Sequence, residues 1–200
     1  MISAIVLAAG ASSRMGQAKA ALPLGQTGET VVARVVRTLL EGGAPEVIVV
    51  AGAHIDAVRA AMPSHEPRAR IIEHPGWERG QLSSLLAGLD AIDGPLIEGV
   101  LVTLVDVPLV RSSTVAAVIE TWRRTRAPIV RPASGERHGH PVMFDRSVFA
   151  DLRAADPNTG AKAVFAIHRD HIVNVAVKDA GAFEDIDTPE DYQRVLSPGS

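Results

Sequence analysis

Cysteine is absent from this 200-residue chain. Disulfide bonds, thiolate metal sites and a cysteine nucleophile are therefore excluded. The sequence also lacks an apolar run long enough to span a bilayer. Its N-terminus becomes rich in glycine without first showing the basic segment of a secretory signal peptide. These absences lead us to expect a soluble, cytoplasmic protein with no membrane partner.

An excess of positive charge is missing as well, because 20 Lys and Arg are set against 23 Asp and Glu, for a net charge of −3. Nucleic-acid binding normally depends on a broad basic surface, so we expect no nucleic-acid partner. Apolar residues make up 46% of the chain, which is enough for a sizeable core. No repeat, low-complexity tract or linker divides it. We predict one domain over residues 1–196 and a flexible tail over 197–200.

Short apolar segments alternate with amphipathic segments along the chain, which predicts strands alternating with helices. We expect strands at 2–9, 46–51, 70–73, 100–105, 129–130, 141–144 and 172–177. We expect helices at 30–40, 55–62, 81–92, 113–124, 146–154, 161–168 and 189–196, with Ser112 or Ser113 capping the fourth. This alternation predicts a three-layer α/β/α, Rossmann-like fold with a mostly parallel sheet.

No acidic residue occurs before Glu29, although Arg14 and Lys19 lie in the loop that follows the first predicted strand. The rest of that loop consists mainly of small residues, which let backbone amides approach a phosphate closely while the cations neutralise it. A plain connection with two solvated charges is the alternative. We favour anion binding because long loops inside compact domains are usually functional.

Neither of the standard phosphate-binding patterns fits this loop. The Walker pattern places four residues between its glycines and a Lys directly after the second, whereas here five residues separate Gly10 from Gly16 and Lys19 follows three positions later. The Gly-x-Gly-x-x-Gly dinucleotide fingerprint is absent too. The loop is longer than either, and we predict that it wraps a nucleoside triphosphate.

Asp106 follows directly after the predicted strand 100–105. Ligands of such sheets bind beyond the carboxyl ends of the strands, so Asp106 and the first loop are expected to face one cleft. Asp106-Val107-Pro108 is equally typical of an ordinary strand exit, since Asp and Pro both favour turns. Both interpretations stay open at this point.

The first loop resembles the signature of the nucleotidyltransferases that make NDP-activated products. The matching residues are Leu7-Ala8-Ala9-Gly10-x-Ser12-x-Arg14-Met15-Gly16-x-x-Lys19 and Leu22-Pro23. Further blocks make the chain most similar to the molybdenum cofactor cytidylyltransferases and related guanylyltransferases. These blocks are His74-Pro75-x-Trp77-x-x-Gly80-x-x-Ser83-Ser84-Leu85, Asp106-x-Pro108, Gly139-His140-Pro141 and Asp185-Ile186-Asp187-Thr188-Pro189-x-Asp191. The resemblance implies the nucleotide-diphospho-sugar transferase type of fold.

The chemistry implied by the resemblance is attack of a substrate phosphate on the α-phosphorus of an NTP, with release of pyrophosphate. Arg14, Lys19 and Asp106 would be catalytic, the two cations stabilising charge on the phosphates. Mg²⁺ would be held by Asp106 and Asp187, with Asp185 as the alternative to Asp187. The nucleotide-binding residues would be Ala8, Ala9, Gly10, Ala11, Ser12, Ser13, Arg14, Lys19, Gly80 and Ser84.

The acceptor is expected near His140, with Lys162 and the amides that open its helix holding the acceptor's phosphate. A capped surface helix is the alternative for the Lys162 segment. The family often has arginine at that position, and Lys162 keeps the charge without the bidentate fork. Val107 is a second departure, because the family often has glutamine there.

The nucleotide is expected to be CTP. Guanylyltransferases tend to have glycine where this chain has Ala9, and a methyl group there narrows the base pocket, which is worth about 1–3 kcal/mol. The expected substrates are thus CTP and molybdopterin or the molybdenum cofactor, with a recipient molybdoenzyme as a further partner. The alternatives are a GTP-dependent guanylyltransferase, a sugar- or polyol-phosphate nucleotidyltransferase, and a non-catalytic molybdopterin delivery protein.

Overall fold

A computed structural model describes residues 1–25, 28–92 and 94–196, so the predicted tail at 197–200 lies outside the described residues. The strands are β1 (Ile2–Ala8), β2 (Pro23–Leu24), β3 (Glu29–Thr30), β4 (Val47–Ala51), β5 (Ala69–Glu73), β6 (Gly99–Leu104), β7 (Ile129–Ser134), β8 (Arg137–His138), β9 (Val142–Asp145) and β10 (Ile172–Ala176). The α-helices are α1 (Val31–Glu41), α2 (Ile55–Ala61), α3 (Gln81–Ile92), α4 (Ser112–Thr125), α5 (Phe149–Ala154), α6 (Lys162–Ile167) and α7 (Pro189–Leu196).

Eight of the described strands form one sheet in the order β10-β7-β9-β6-β1-β4-β5, with β8 paired to β7. The neighbours of β1, which are β4 and β6, run parallel to it, and β9 runs antiparallel to β6 and β7. The predicted mostly parallel sheet is therefore confirmed. Since Leu7 of β1 stands beside Leu104 of β6, the segments that follow these two strands leave the sheet side by side.

Helices cover both faces of the sheet, as predicted. α1 and α4 pack on one face through residues such as Val35 and Ile119, while α3 and α5 pack on the other through residues such as Leu89 and Leu152. Because both faces are covered, β1 and β4 are buried at every position, which explains their continuous apolar sequences.

Three local features differ from the sequence-based expectation. The short hairpin of β2 and β3 was not predicted, and neither was β8. The predicted cap of α4 was wrong: Arg111 occupies the N-cap position, and neither Ser112 nor Ser113 does. The Asp179 carboxylate accepts hydrogen bonds there from the Arg111 amide at 2.9 Å and from the Thr114 hydroxyl at 2.6 Å. The carboxylate that accepts hydrogen bonds at the N-terminus of α4 thus comes from a segment distant in sequence.

A search of the described residues for membrane spans gave none, since no helix among them combines enough length with enough apolar character.

Gly99 at the start of β6 provides a test of the packing. A Cβ there would lie 2.5 Å from Cε of Met143 and 2.9 Å from the Phe144 carbonyl oxygen, so Gly99→Ala must displace backbone. We expect Gly99→Ala to lower the free energy of unfolding by about 1–3 kcal/mol in urea titrations. Gly94→Ala is the matched control, because the nearest atom to its Cβ would be 3.9 Å away. Equal stability of the two variants would contradict the described packing.

Candidate functional site

A cavity of about 440 Å³ opens beyond the carboxyl ends of β1 and β6. Nine of the ten residues predicted to bind the nucleotide line it: Ala8, Ala9, Gly10, Ser12, Ser13, Arg14, Lys19, Gly80 and Ser84. Ala11 is the exception, and its carbonyl oxygen is instead 2.8 Å from Nε2 of His54. Asp106 and Asp187 line the same cavity. Residues far apart in sequence are therefore brought together here.

The first loop is shaped by contacts of its own residues. The Ser12 carbonyl accepts from the Met15 amide at 2.9 Å, and the Ser12 hydroxyl accepts from the Lys19 amide at 3.3 Å. Within the described part of the chain, the amides of Ala11, Ser12 and Ser13 form no backbone–backbone hydrogen bond. Successive amides without such a partner, beside two cations, are suited to an anion.

Lys19 joins three segments of the chain at the floor of this cavity. Its ammonium lies 2.7 Å from Oδ1 of Asp187 and 3.4 Å from Oδ2 of Asp106, and its side chain is only 10% exposed. Arg14 reaches the other oxygen of Asp187 at 3.0 Å, from a far more exposed position. The two cations that have no acidic neighbour in the local sequence are thus paired with carboxylates from distant segments.

Asp187 reaches the cavity because its neighbours anchor the segment. Ile186 is buried, and its amide donates to the Asp106 carbonyl oxygen at 2.8 Å. The helix start at Thr188 is closed by the Asp191 carboxylate, which accepts from the Thr188 amide at 3.0 Å. The Asp187 carboxylate is therefore free to bind Lys19. Asp185, the alternative metal ligand, does not line the cavity.

The carboxyl group of Asp106 is held in an unusual electrostatic state. Burial raises its pKa above the usual range, the charge of Lys19 partly opposes this, and the charges of Asp185 and Asp187 add to the rise. The pKa of Asp187 is lowered, chiefly by its hydrogen bond from Lys19. Oδ1 of Asp106 is buried and has no hydrogen-bond partner among the described residues.

These residues fit a divalent cation that arrives with phosphate oxygens. A buried carboxylate oxygen without a partner is costly unless a cation or donor satisfies it. The described residues contain no cluster of three or more His, Asp or Glu that could hold a metal by protein ligands alone. Mg²⁺ usually takes only one or two carboxylates and completes its shell with phosphate oxygens and water, as Asp106 and Asp187 would allow.

A second cavity, of about 460 Å³, adjoins the first, and the two share the lining residues Leu7, Gln81 and Leu104. The predicted acceptor residues His140 and Lys162 both line it. Its lining combines apolar side chains with polar and cationic ones, and no Asp or Glu is among its described lining residues. The second cavity therefore differs in chemistry from the first, which has three acidic residues in its lining.

His140 is positioned by its backbone. The Gly139 amide donates to the Pro132 carbonyl at 3.0 Å, and the His140 amide donates to the Ala182 carbonyl at 2.9 Å. A Cβ on Gly139 would lie 2.0 Å from that Ala182 oxygen, so only glycine fits. Nδ1 of His140 is buried without a partner among the described residues, and burial lowers the pKa of the ring.

Part of the segment before α6 is already satisfied. The amide of Asn158 donates to the Asp156 carboxylate at 2.8 Å and the amide of Gly160 donates to the Asp156 carbonyl at 2.9 Å. The amides of Ala161 and Lys162 have no backbone partner among the described residues, so the expectation that the amides which open α6 hold an acceptor phosphate stays a prediction. Lys162 itself is exposed and lines the cavity. Its ammonium and the amides of Ala161 and Lys162 are therefore what this segment offers to an acceptor.

Sequence reasoning missed several lining residues. His54, Trp77 and Gln81 line the first cavity, and Arg131 and Phe165 line the second. Trp77 lies inside one of the blocks that carried the resemblance, so a signal for it was present. Nothing in the local sequence marks Arg131, whose place in the cavity depends on the pairing of β7 with β9 and β10.

Residues 4–173 match the sequence pattern of the MobA-like NTP transferase domain. The chain is 31% identical to nicotine blue oxidoreductase of Paenarthrobacter nicotinovorans, over 98% of this chain and 96% of that protein. It is 26% identical to the molybdenum cofactor cytidylyltransferase of Escherichia coli, over 96% of this chain and 93% of that protein.

Solved structures agree with this similarity. A nucleotidyl transferase from Methanothermobacter thermautotrophicus superposes with a TM-score of 0.81 at 26% identity, over 98% of this chain and 95% of that one. A manganese complex of the Mycobacterium tuberculosis protein Rv0371c superposes with a TM-score of 0.75 at 27% sequence identity, over 99% of both chains. The 4-diphosphocytidyl-2C-methyl-D-erythritol synthase of Anaerococcus prevotii shares the fold. It superposes with a TM-score of 0.75 at 17% sequence identity, over 98% of this chain and 94% of that one.

The chain therefore belongs to the MobA-like NTP transferase family, and it is a nucleotidyltransferase with the fold of the nucleotide-diphospho-sugar transferases.

Lys19→Met provides a test of the ion-pair cluster. Without the ammonium, two partly buried carboxylates face each other, and we expect a loss of about 1–3 kcal/mol in the free energy of unfolding at pH 7. The pKa of Asp106 is already raised, and that of Asp187 would lose its main cause of lowering. Both carboxylates would then take up protons more readily in the folded variant, so the loss should shrink as the pH falls from 7 towards 4.5.

The measurement is urea unfolding at both pH values. Lys178→Met serves as the control, since that side chain is exposed and forms no ion pair within the described residues. A deficit that is independent of pH would contradict the electrostatic explanation.

Proposed function

We propose that this nucleotidyltransferase transfers CMP from CTP to the phosphate of molybdopterin or the molybdenum cofactor and releases pyrophosphate. The observation that carries the proposal is the junction of two unlike cavities. One has cations, free loop amides and carboxylates, and the described lining of the other has cationic, polar and apolar groups but no carboxylate. They meet at Leu7, Gln81 and Leu104, where a phosphate from one side can reach a phosphorus from the other.

The loop supplies the charge that a triphosphate requires. Arg14 and Lys19 would leave Asp187 and bind the phosphates, and they would stabilise the charge that develops on the leaving pyrophosphate. The amides of Ala11 to Ser13 would add donors to the same oxygens. An acceptor phosphate is already ionised at neutral pH, so the reaction needs no general base, and the roles of this chain are to bind, orient and neutralise.

Asp106 and Asp187 would hold Mg²⁺, in agreement with the partnerless Oδ1 of Asp106. When bound, the ion neutralises phosphoryl oxygens as a Lewis acid. A relative of 27% identity that was crystallised with manganese supports a divalent metal in this family. Asp106 is held rigidly for such a role because its carbonyl accepts from the buried Ile186.

The acceptor is proposed from the chemistry of the second cavity. A sugar phosphate presents many hydroxyl groups, and carboxylates are their usual partners, but no Asp or Glu is among the described residues that line this cavity. Leu82, Val142 and Phe165 instead provide apolar and aromatic surface that suits a flat ring system. His140 and Lys162 would contact the acceptor, and the cytidylyltransferase relative supports molybdopterin as its identity.

Two other functions are possible outcomes of the experiment described below. One is an oxidoreductase, which the name of the Paenarthrobacter nicotinovorans relative denotes. The other is a delivery protein, which would bind CTP and acceptor without turnover. The decisive experiment is a matrix of the four NTPs against molybdopterin, molybdenum-loaded cofactor and sugar phosphates, read as pyrophosphate. Release with CTP and a molybdopterin acceptor is expected. No release with any pair would contradict a transferase role, and release with sugar phosphates alone would contradict the acceptor.

Asp106→Asn tests the proposed metal ligand. The amide keeps the shape but removes the charge, and we expect Mg²⁺-dependent pyrophosphate release to fall by about 10²–10³-fold. The variant should stay folded, with a melting temperature at pH 7 equal to or above that of the parent, because burial disfavours the ionised carboxylate. Asp185→Asn is the matched control, and less than a threefold change is expected. Equal activity of Asp106→Asn and the parent would contradict the assignment.

Ala9→Gly tests the choice of base. The Ala9 side chain is buried in the lining of the first cavity, and removing its methyl group should widen the space for a purine. We expect the ratio of kcat/KM for CTP to that for GTP to fall by about tenfold, which corresponds to the low end of the 1–3 kcal/mol that one methyl group contributes. The ratio serves as its own control for general damage. An unchanged ratio would show that other residues select the base.

A further inference from the structure

Arg131 is held in place on the wall of the second cavity by neighbouring side chains. Its Nε donates to Oδ1 of Asn174 at 3.0 Å. Its guanidinium carbon lies 5.4 Å from the centre of the Phe165 ring, within the range of a cation–π contact. These two contacts orient the planar guanidinium. They use only one of its three nitrogens as a donor, because no hydrogen bond from either terminal nitrogen occurs among the described residues.

This guanidinium has no counterion in the described part of the chain. No Asp or Glu there lies within 4.0 Å of it, and none lines the cavity. Burial lowers its pKa, and its positive charge together with burial lowers the pKa of His138, which lines the same cavity. A partly buried charge without a partner is unfavourable, and proteins keep such groups mainly where a ligand supplies the opposite charge.

The guanidinium of Arg131 is held away from the junction. Arg131 belongs to β7, and β9 separates β7 from β6, where Leu104 marks the junction. Two strand spacings separate the backbones of β7 and β6 by about 9–10 Å. The hydrogen bond to Asn174 of β10 holds Nε on the side of β7 that is remote from β6. A phosphate at Leu104 and a group at Arg131 would therefore belong to opposite ends of an acceptor.

We infer that Arg131 is a specificity-determining residue, and that it selects acceptors bearing a second anionic group, such as a carboxylate or other oxyanion, at the end opposite the reacting phosphate. The two terminal nitrogens of the guanidinium form a fork that matches two oxygens of such a group. The inference rests on the proposed function only in placing the reacting phosphate at the junction. Among the acceptors that the second cavity admits, it favours those with two separated negative charges. An acceptor whose far end is an uncharged ring, as in molybdopterin, would leave Arg131 hydrated and would gain nothing from it.

The test uses two probes that differ in one group, benzyl phosphate and 4-carboxybenzyl phosphate. Their dissociation constants are measured by calorimetry with saturating α,β-methylene-CTP, whose bridge cannot be cleaved, and again without nucleotide. We expect the parent protein to bind the carboxylated probe about tenfold more tightly, the gain of a charge-assisted bidentate contact. In Arg131→Gln this preference should disappear, while the affinity for benzyl phosphate changes less than twofold.

Two further variants separate selectivity from general damage. Asn174→Ala keeps the charge but removes the hydrogen bond that orients it, so the preference should fall to about threefold. Arg124→Gln is the matched control, because that arginine is exposed at the end of α4 and should leave both affinities unchanged. Equal binding of the two probes by the parent protein, or a preference that survives in Arg131→Gln, would overturn the inference.

The two proposals fail in different ways. If CTP-dependent pyrophosphate release occurs while the parent binds both probes equally, the inference about Arg131 is wrong and the proposed function stands. If no nucleotide yields pyrophosphate while the probe preference persists and is lost in Arg131→Gln, the proposed function is wrong and the anion site at Arg131 stands.

Discussion

The ion-pair cluster around Lys19 is the interaction on which the candidate site depends. One ammonium, only 10% exposed, contacts Asp187 at 2.7 Å and Asp106 at 3.4 Å, and so joins the first loop, the end of β6 and the segment before α7. With Arg14 also on Asp187, two positive charges balance two negative charges in a partly buried space. Lys19 and Asp106, the most buried members of the cluster, could not be placed there alone without a large desolvation penalty.

Because these charges are balanced, the nucleotide and its divalent cation are expected to bind together. A triphosphate would draw Arg14 and Lys19 away from the carboxylates, and a divalent cation would replace the charge that Asp106 and Asp187 then lack. Each event would leave unpaired charge if it occurred alone, and the two together would restore neutrality. Any effect of one ligand on the affinity for the other is reciprocal by linkage. The same argument explains why Asp106 retains a buried oxygen without a partner, which stability alone would not favour.

The parts of this structure that could be predicted from the sequence are those set by local patterns. Continuous apolar segments predicted the long strands of the sheet to within a few residues. The expectation that the loop from Gly10 to Lys19 faces one cleft with Asp106 is confirmed, because both line the first cavity. What could not be predicted depends on contacts between distant segments. Asp179 completes the start of α4 from 65 residues beyond Thr114, and Arg131 reaches the second cavity only through the order of the strands.

The charged residues of the site are divided unequally between the two cavities. The described lining of the first cavity contains carboxylates, which Lys19 and Arg14 compensate. The described lining of the second contains Arg131 and Lys162 but no Asp or Glu. An anionic acceptor would therefore be attracted into the second cavity, and the carboxylates of the first would repel it unless a cation neutralised them. Since the two cavities share the lining residues Leu7, Gln81 and Leu104, the same charges that would separate the substrates would also let their phosphates meet beside these residues.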